Sequence, residues 1–219
     1  MSLVVNEGSS TNIPLLPEDS YPAVCCMLAD LGDQYSEKFG TTSRKVLISW
    51  ELPGETLDDG STRRMSNTYT ASLNSKGNLR RDLIAWRGRD FTVDELKAFD
   101  LKNIVGAPCL LQVIHKIAQD GTKRAVIGGI MKLPKGMTMP TLSNGFTIFD
   151  LDDPDAKTKL AELPEWVQER VKQGETWKAM EDEANNAAAE KAAQSDDSAA
   201  PAGPTFSEQM DAADGEIPF

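Results

Sequence analysis

CLLQVIHKIAQDGTKRAVIGGIMKL, Cys109 to Leu133, is the stretch that decides the fold. Two apolar, β-branched runs, Cys109 to Ala118 and Lys123 to Leu133, flank Gln119, Asp120, Gly121 and Thr122. Asp-Gly between two such runs is the strongest short-range hairpin signal, because both turn positions must tolerate positive φ. Gly128 and Gly129 inside the second run predict a bulge or a tight bend. Upstream, Gly106, Ala107 and Pro108 stop a helical region. In it Leu79, Leu83, Ile84 and Trp86 stand at near-helical spacing between Ser75 and Trp86. Thr92 with Glu95 makes a capping-box pattern, and Leu96, Phe99, Leu101 and Ile104 carry an apolar face onward.

Before the helical region the period is that of strands. Pro22 to Ala29 is a continuous apolar run, predicting a strand buried on both faces. Lys45 to Leu52 places Val46, Ile48 and Trp50 on one face, and after a turn-rich stretch from Pro53 to Ser61 a third strand is predicted at Met65 to Leu73. Three strands, a helical segment and two strands is the order of a five-stranded oligonucleotide/oligosaccharide-binding barrel, a mainly β fold with its helix between strands three and four. The expected organisation is an N-terminal flexible arm at 1–19, the barrel at 20–150, and an acidic helical appendage at 151–184 around Trp166, Val167, Val171, Trp177 and Met180. A flexible alanine-rich linker at 185–206 and an acidic tip at 207–219 complete it. Gly145 to Phe149 is expected to be a short strand or strap on the barrel.

The formal net charge of -11 is unevenly placed. Residues 1–150 hold 17 Lys and Arg against 17 Asp and Glu, whereas residues 151–219 hold 6 against 17. The acidity therefore belongs to the tail and does not argue against nucleic-acid binding by the body. Between Ser61 and Arg89 there are seven cations, Arg63, Arg64, Lys76, Arg80, Arg81, Arg87 and Arg89, and one anion, Asp82. A solvated helix face would interleave acids with them; a phosphate-binding surface would not. Around this stretch stand Arg44, Lys45, His115, Lys116, Lys123, Arg124 and Lys132.

Single-strand binding also needs rings on which bases stack, each worth about 1–3 kcal/mol. Tyr69, among Ser66, Asn67, Thr68 and Thr70, is expected on an exposed strand face with core packing as the alternative; Trp50 and Trp86 are weighed the same way, core packing being the plainer reading. His115 is expected to be a structural histidine or a phosphate donor.

The last thirteen residues, SEQMDAADGEIPF, put Asp211, Asp214 and Glu216 before a terminal Ile217, Pro218 and Phe219. A terminal Phe carrying the α-carboxylate suits capture in a partner's apolar pocket flanked by cations. This ending resembles the acidic tip of bacterial and phage single-stranded DNA-binding proteins, which implies recruitment of replication and repair enzymes. The stretch Asn67 to Lys116, NTYTASLNSKGNLRRDLIAWRGRDFTVDELKAFDLKNIVGAPCLLQVIHK, is similar to phage-encoded proteins of DNA replication and single-stranded DNA binding, over about residues 40–150. That resemblance implies single-stranded DNA as the partner in phage replication, recombination or repair.

No Ser-His-acid or Cys-His spacing, no glycine-rich phosphate loop with a lysine and only one histidine are present, so no enzyme, cofactor or metal is expected. Asp150, Asp152, Asp153 and Asp155 read as linker acidity before a divalent-cation site. Cys25, Cys26 and Cys109 lack metal or disulfide spacing and are expected buried and reduced. With no secretory leader pattern and no apolar run near ~20 residues, a soluble cytoplasmic protein is expected, which a homo-oligomer would equally satisfy. The rival reading is an acidic interaction protein or DNA mimic.

Overall fold

The structure, a computed structural model, describes residues 14–196, with residues 187–196 by backbone alone. The chain divides into two units, Met1–Ala179 and Met180–Phe219. The first unit is mainly β. Its strands are β1 (Ser20–Ser36), β2 (Thr41–Thr56), β3 (Thr62–Thr70), β4 (Pro108–Ile117), β5 (Lys123–Met131) and the short β6 (Thr147–Phe149). They form one sheet in the order β3-β2-β1-β4-β5, with β6 paired to β1. All neighbours are antiparallel except β1 with β6. The sheet is open: β3 and β5 are its two edges.

β1 is the centre because it is apolar on both faces, as its unbroken run requires. Ser20 to Val24 pair with β4, and Met27 to Ala29 pair with β6. A register shift at Cys26 switches the parity, so that Ala23 and Cys25 before it and Leu28 after it all enter one core. Val46, Ile48, Trp50 and Leu52 of β2 join that core, with Leu79, Leu83 and Trp86 of α1 (Asn78–Arg87). The expected Asp-Gly hairpin joins β4 to β5, with Gly121 at φ +78. The bulge lies at Gly128, skipped in the register between Gln112 and Val113; a Cβ there would stand 2.9 Å from Ile114. The capping box also forms: Glu95 N–H donates to Thr92 Oγ1, and Thr92 N–H to the Glu95 carboxylate, opening α2 (Val93–Lys97).

Three parts of the chain lie otherwise than expected. The N-terminal arm is anchored at Leu16, 1% exposed in the core, whose carbonyl lies 2.8 Å from His115 Nε2, while Leu15 beside it is exposed. Residues 1–13 lie outside the described residues. Residues 151–179, expected as an appendage, belong to the same compact unit as the sheet. There Leu151, Leu160, Leu163, Val167, Val171 and Trp177 are buried in and around α3 (Ala156–Lys159), α4 (Glu165–Lys172) and the start of α5 (Glu175–Asp196). They cover the face of β1 that the first core leaves open; Gln34 Nε2 donates to the Arg170 carbonyl at 3.0 Å, and Asp33 N–H to Thr176 Oγ1 at 2.9 Å. Trp166, expected in the apolar stripe, is instead 45% exposed.

Candidate nucleic-acid interface

β2 and β3 pair so that Arg63 and Arg64 lie opposite Leu52 and Glu51 at the start of the β3 edge. α1 begins behind Gly77 with no acid in its first turn, and its second turn carries Arg81. Lys116 sits opposite Arg124 on the β4-β5 hairpin. The fold gathers Arg63, Arg64, Arg81 and Lys116 around one cleft of about 720 Å³ between β3 and β5. Ser66, Asn67 and Asn78 give it hydrogen-bonding walls, and no carboxylate lines it among the described residues. A second depression, holding Lys45 and Lys76 with Thr68, Thr70 and Ser72, shares Asn78 with the first. Together they make a cationic track along β3, with Lys45 Nζ held 2.7 Å from Thr70 Oγ1.

Most of the counter-charge comes from outside the basic stretch, which its own composition concealed. Glu51 meets Arg64 at 3.4 Å, Asp90 meets Arg80 at 3.3 Å, and Glu95 takes both Arg87 and Arg89. Arg81 pairs with its neighbour Asp82 at 2.9 Å, and Arg124 with Asp120 at 2.6 Å. Arg63 donates to the Pro14 carbonyl. Arg44 is drawn away from the track: Asp30 and Asp152 bind its guanidinium and raise its pKa further, Asp30 contributing most. Asp150 and Asp153 are likewise occupied, by Lys102 at 2.8 Å and Lys159 at 2.5 Å. Lys45, Lys76, Lys116, Lys123 and Lys132 make no ion pair among the described residues.

The three rings weighed for stacking are core residues. Trp50 is fully buried, its ring 5.7 Å from that of Trp86. Trp86, 6% exposed, donates its indole N–H to the Pro108 carbonyl at 2.9 Å. Tyr69 is 3% exposed and donates to Asp82 at 3.0 Å; burial, then the Asp82 charge, pushes its phenol pKa up. The register explains it, since Tyr69 faces Val46, on the β2 face already assigned to the core. Besides Phe146 and Trp166, 61% and 45% exposed, the open rings among the described residues are Tyr35, 59%, and Phe39, 71%, which the sequence reading missed. They ride on the hairpin that joins β1 to β2, where Ser36 pairs with Thr41 and Lys38 lies 5.5 Å over the Phe39 ring. His115 has its Nε2 at the Leu16 carbonyl, while its Nδ1, buried without a hydrogen-bond partner, lies 4.0 Å from Glu18 Oε1.

The tip residues Asp211, Asp214, Glu216, Ile217, Pro218 and Phe219 lie outside the described residues. No protein-family model matches the chain, and no curated protein does.

Proposed function

We propose that this protein binds single-stranded DNA along the cationic track of β3, and recruits a replication or repair enzyme through its acidic C-terminal tip. The observation that carries the reading is a cleft bounded by Arg63, Arg64, Arg81 and Lys116 and free of carboxylates among the described residues, in a chain of net charge -11. Strand order adds support. With α1 between β3 and β4, the order β3-β2-β1-β4-β5 is compatible with an oligonucleotide-binding barrel opened between β3 and β5. Such barrels bind across strands two and three and with the loops joining strands one to two and four to five. In this chain the loop between β1 and β2 carries Lys38 and Phe39, with Tyr35 beside it near the end of β1, and Lys123 and Arg124 open β5 next to the other loop. Phosphates then run along the track while bases stack on Tyr35 and Phe39. An acidic DNA mimic would instead need its carboxylates on this folded surface.

The test is anisotropy of fluorescein-labelled oligo(dT) titrated with the full chain at two salt concentrations. Salt-sensitive binding that weakens in Arg81→Glu and Lys116→Glu is expected. No binding at low salt overturns the reading.

A further inference from the structure

A different cleft, of about 690 Å³, opens between α1, residues 95–108 and the chain that follows β5. It shares no residue with the cationic track. Phe99, Ile104, Pro108 and Pro134 give it an apolar lining, which Met137 and Met139 extend into solvent at 41% and 65% exposure. Exposed thioethers beside an apolar opening are costly to leave in water, and their flexible stems adapt to varied apolar partners.

The rim is cationic. Arg87, Arg89, Lys132 and Lys135 stand around it against one carboxylate, Glu95, which both arginines already share. Lys132 and Lys135 make no ion pair, and Arg87 Nη1 is buried without a partner, among the described residues. An anion entering here therefore meets unspent positive charge.

Nucleobases fit the cleft poorly. Phe99 is edge-on to Phe91, ring centroids 5.1 Å apart, and the Arg87 guanidinium stands 5.0 Å from its centroid. Trp86 is nearly buried and its N–H is already spent on Pro108. Arg87 already occupies one face of Phe99, and the polar edge of a base would rest on carbon. An apolar side chain flanked by carboxylates leaves nothing unsatisfied.

We propose that this cleft docks an acidic peptide segment of a partner protein. Its aliphatic or aromatic side chain sits on the methionine-bearing floor, and its carboxylates bind Arg87, Arg89, Lys132 and Lys135. Since the cleft and the track have separate residues, peptide and DNA are held together rather than in competition.

The test uses the full chain with ¹³C-methyl methionine, titrated with an acetylated octapeptide of aspartates around a leucine-phenylalanine pair, and separately with oligo(dT). The peptide is expected to shift the Met137 and Met139 methyl signals saturably. Lys135→Glu, at the solvent rim, is expected to weaken that binding at least about fivefold while oligo(dT) affinity changes by less than about twofold. Unmoved methyls at millimolar peptide, peptide binding indifferent to the charge reversal, or shifts caused by oligo(dT) in place of peptide would each overturn the proposal. The last result would make the cleft a nucleic-acid site.

Discussion

Arg64 Nη2 stands 3.4 Å from Glu51 Oε2, and the Glu51 side chain has no exposed surface. The other carboxylate oxygen accepts the Ser143 N–H at 2.7 Å, so the chain between β5 and β6 lies over the pair. Part of the Arg64 charge is thus committed to a buried carboxylate before any ligand arrives. Removing one partner of a buried pair leaves the other desolvated and unmatched. Arg64→Ala is expected to lower unfolding free energy by about 1–3 kcal/mol in urea titration, and adding Glu51→Gln to recover much of it. Equal loss in the single and double variants would show that the pair does not couple.

The open rings give a second expectation. Phe39→Ala and Tyr35→Ala should each weaken oligo(dT) binding by about 1–3 kcal/mol, the worth of a stacked base. Tyr69→Phe should leave affinity unchanged, because that ring is inside the core. Tryptophan emission offers an independent check, since Trp50, Trp86 and Trp177 are buried and Trp166 is 45% exposed. Acrylamide should quench one of the four indoles efficiently. Strong quenching of all four by oligo(dT) would return stacking to the buried tryptophans.

Strands, helix order, hairpin and capping box were legible because each is a local pattern of period or turn chemistry. The Gly128 bulge was legible too, as paired glycines inside a strand have few other uses. Facing and pairing were less so. Tyr69 looked exposed beside small polar neighbours, yet its opposition to Val46 turns it inward. The acids that answer the basic stretch, Glu51, Asp90 and Glu95, lie outside it in sequence and beside it in space. The covering layer of residues 151–179 was hidden for a similar reason: its acidic composition describes the solvent side, while Val167, Val171 and Trp177 face the sheet. Tyr35 and Phe39 announced themselves only as exposed rings at the end of a strand longer than its apolar run.

Glu95 ties three parts of the α1-α2 region together, accepting from Thr92 N–H, Arg87 and Arg89. The Arg89 bond, followed by the Thr92 N–H, lowers its pKa from the ordinary 4.5 to about 2. A carboxyl with a depressed folded-state pKa contributes stability above its unfolded pKa and loses it as pH falls through the folded value. The Glu95 contribution is therefore complete above about pH 4.5 and fades toward pH 2. Glu95→Gln, which keeps a capping acceptor but no charge, should flatten the acid limb of stability against pH between those values. A side-chain carboxyl signal titrating near 4.5 would contradict the assignment.

Gly32 separates backbone strain from packing. It sits at φ +67, and a Cβ there would lie 2.8 Å from Leu151 Cδ1 and 2.9 Å from Thr176 Oγ1 and Cβ, in the layer that covers β1. Gly106 has φ +78 with nothing within 4 Å of its Cβ position. Gly106→Ala should therefore report the left-handed backbone cost alone, about 1–2 kcal/mol. Gly32→Ala should lose that and a further ~1–3 kcal/mol for overpacking, because neither the Leu151 methyl nor the Thr176 side chain can withdraw from a filled interior. The same variant should loosen the contact through which Asp33 N–H reaches Thr176, shifting the buried Trp177 emission to the red before global unfolding. Equal losses at the two glycines would mean that residues 151–179 do not press on β1 as closely as the 2.8 Å approach requires.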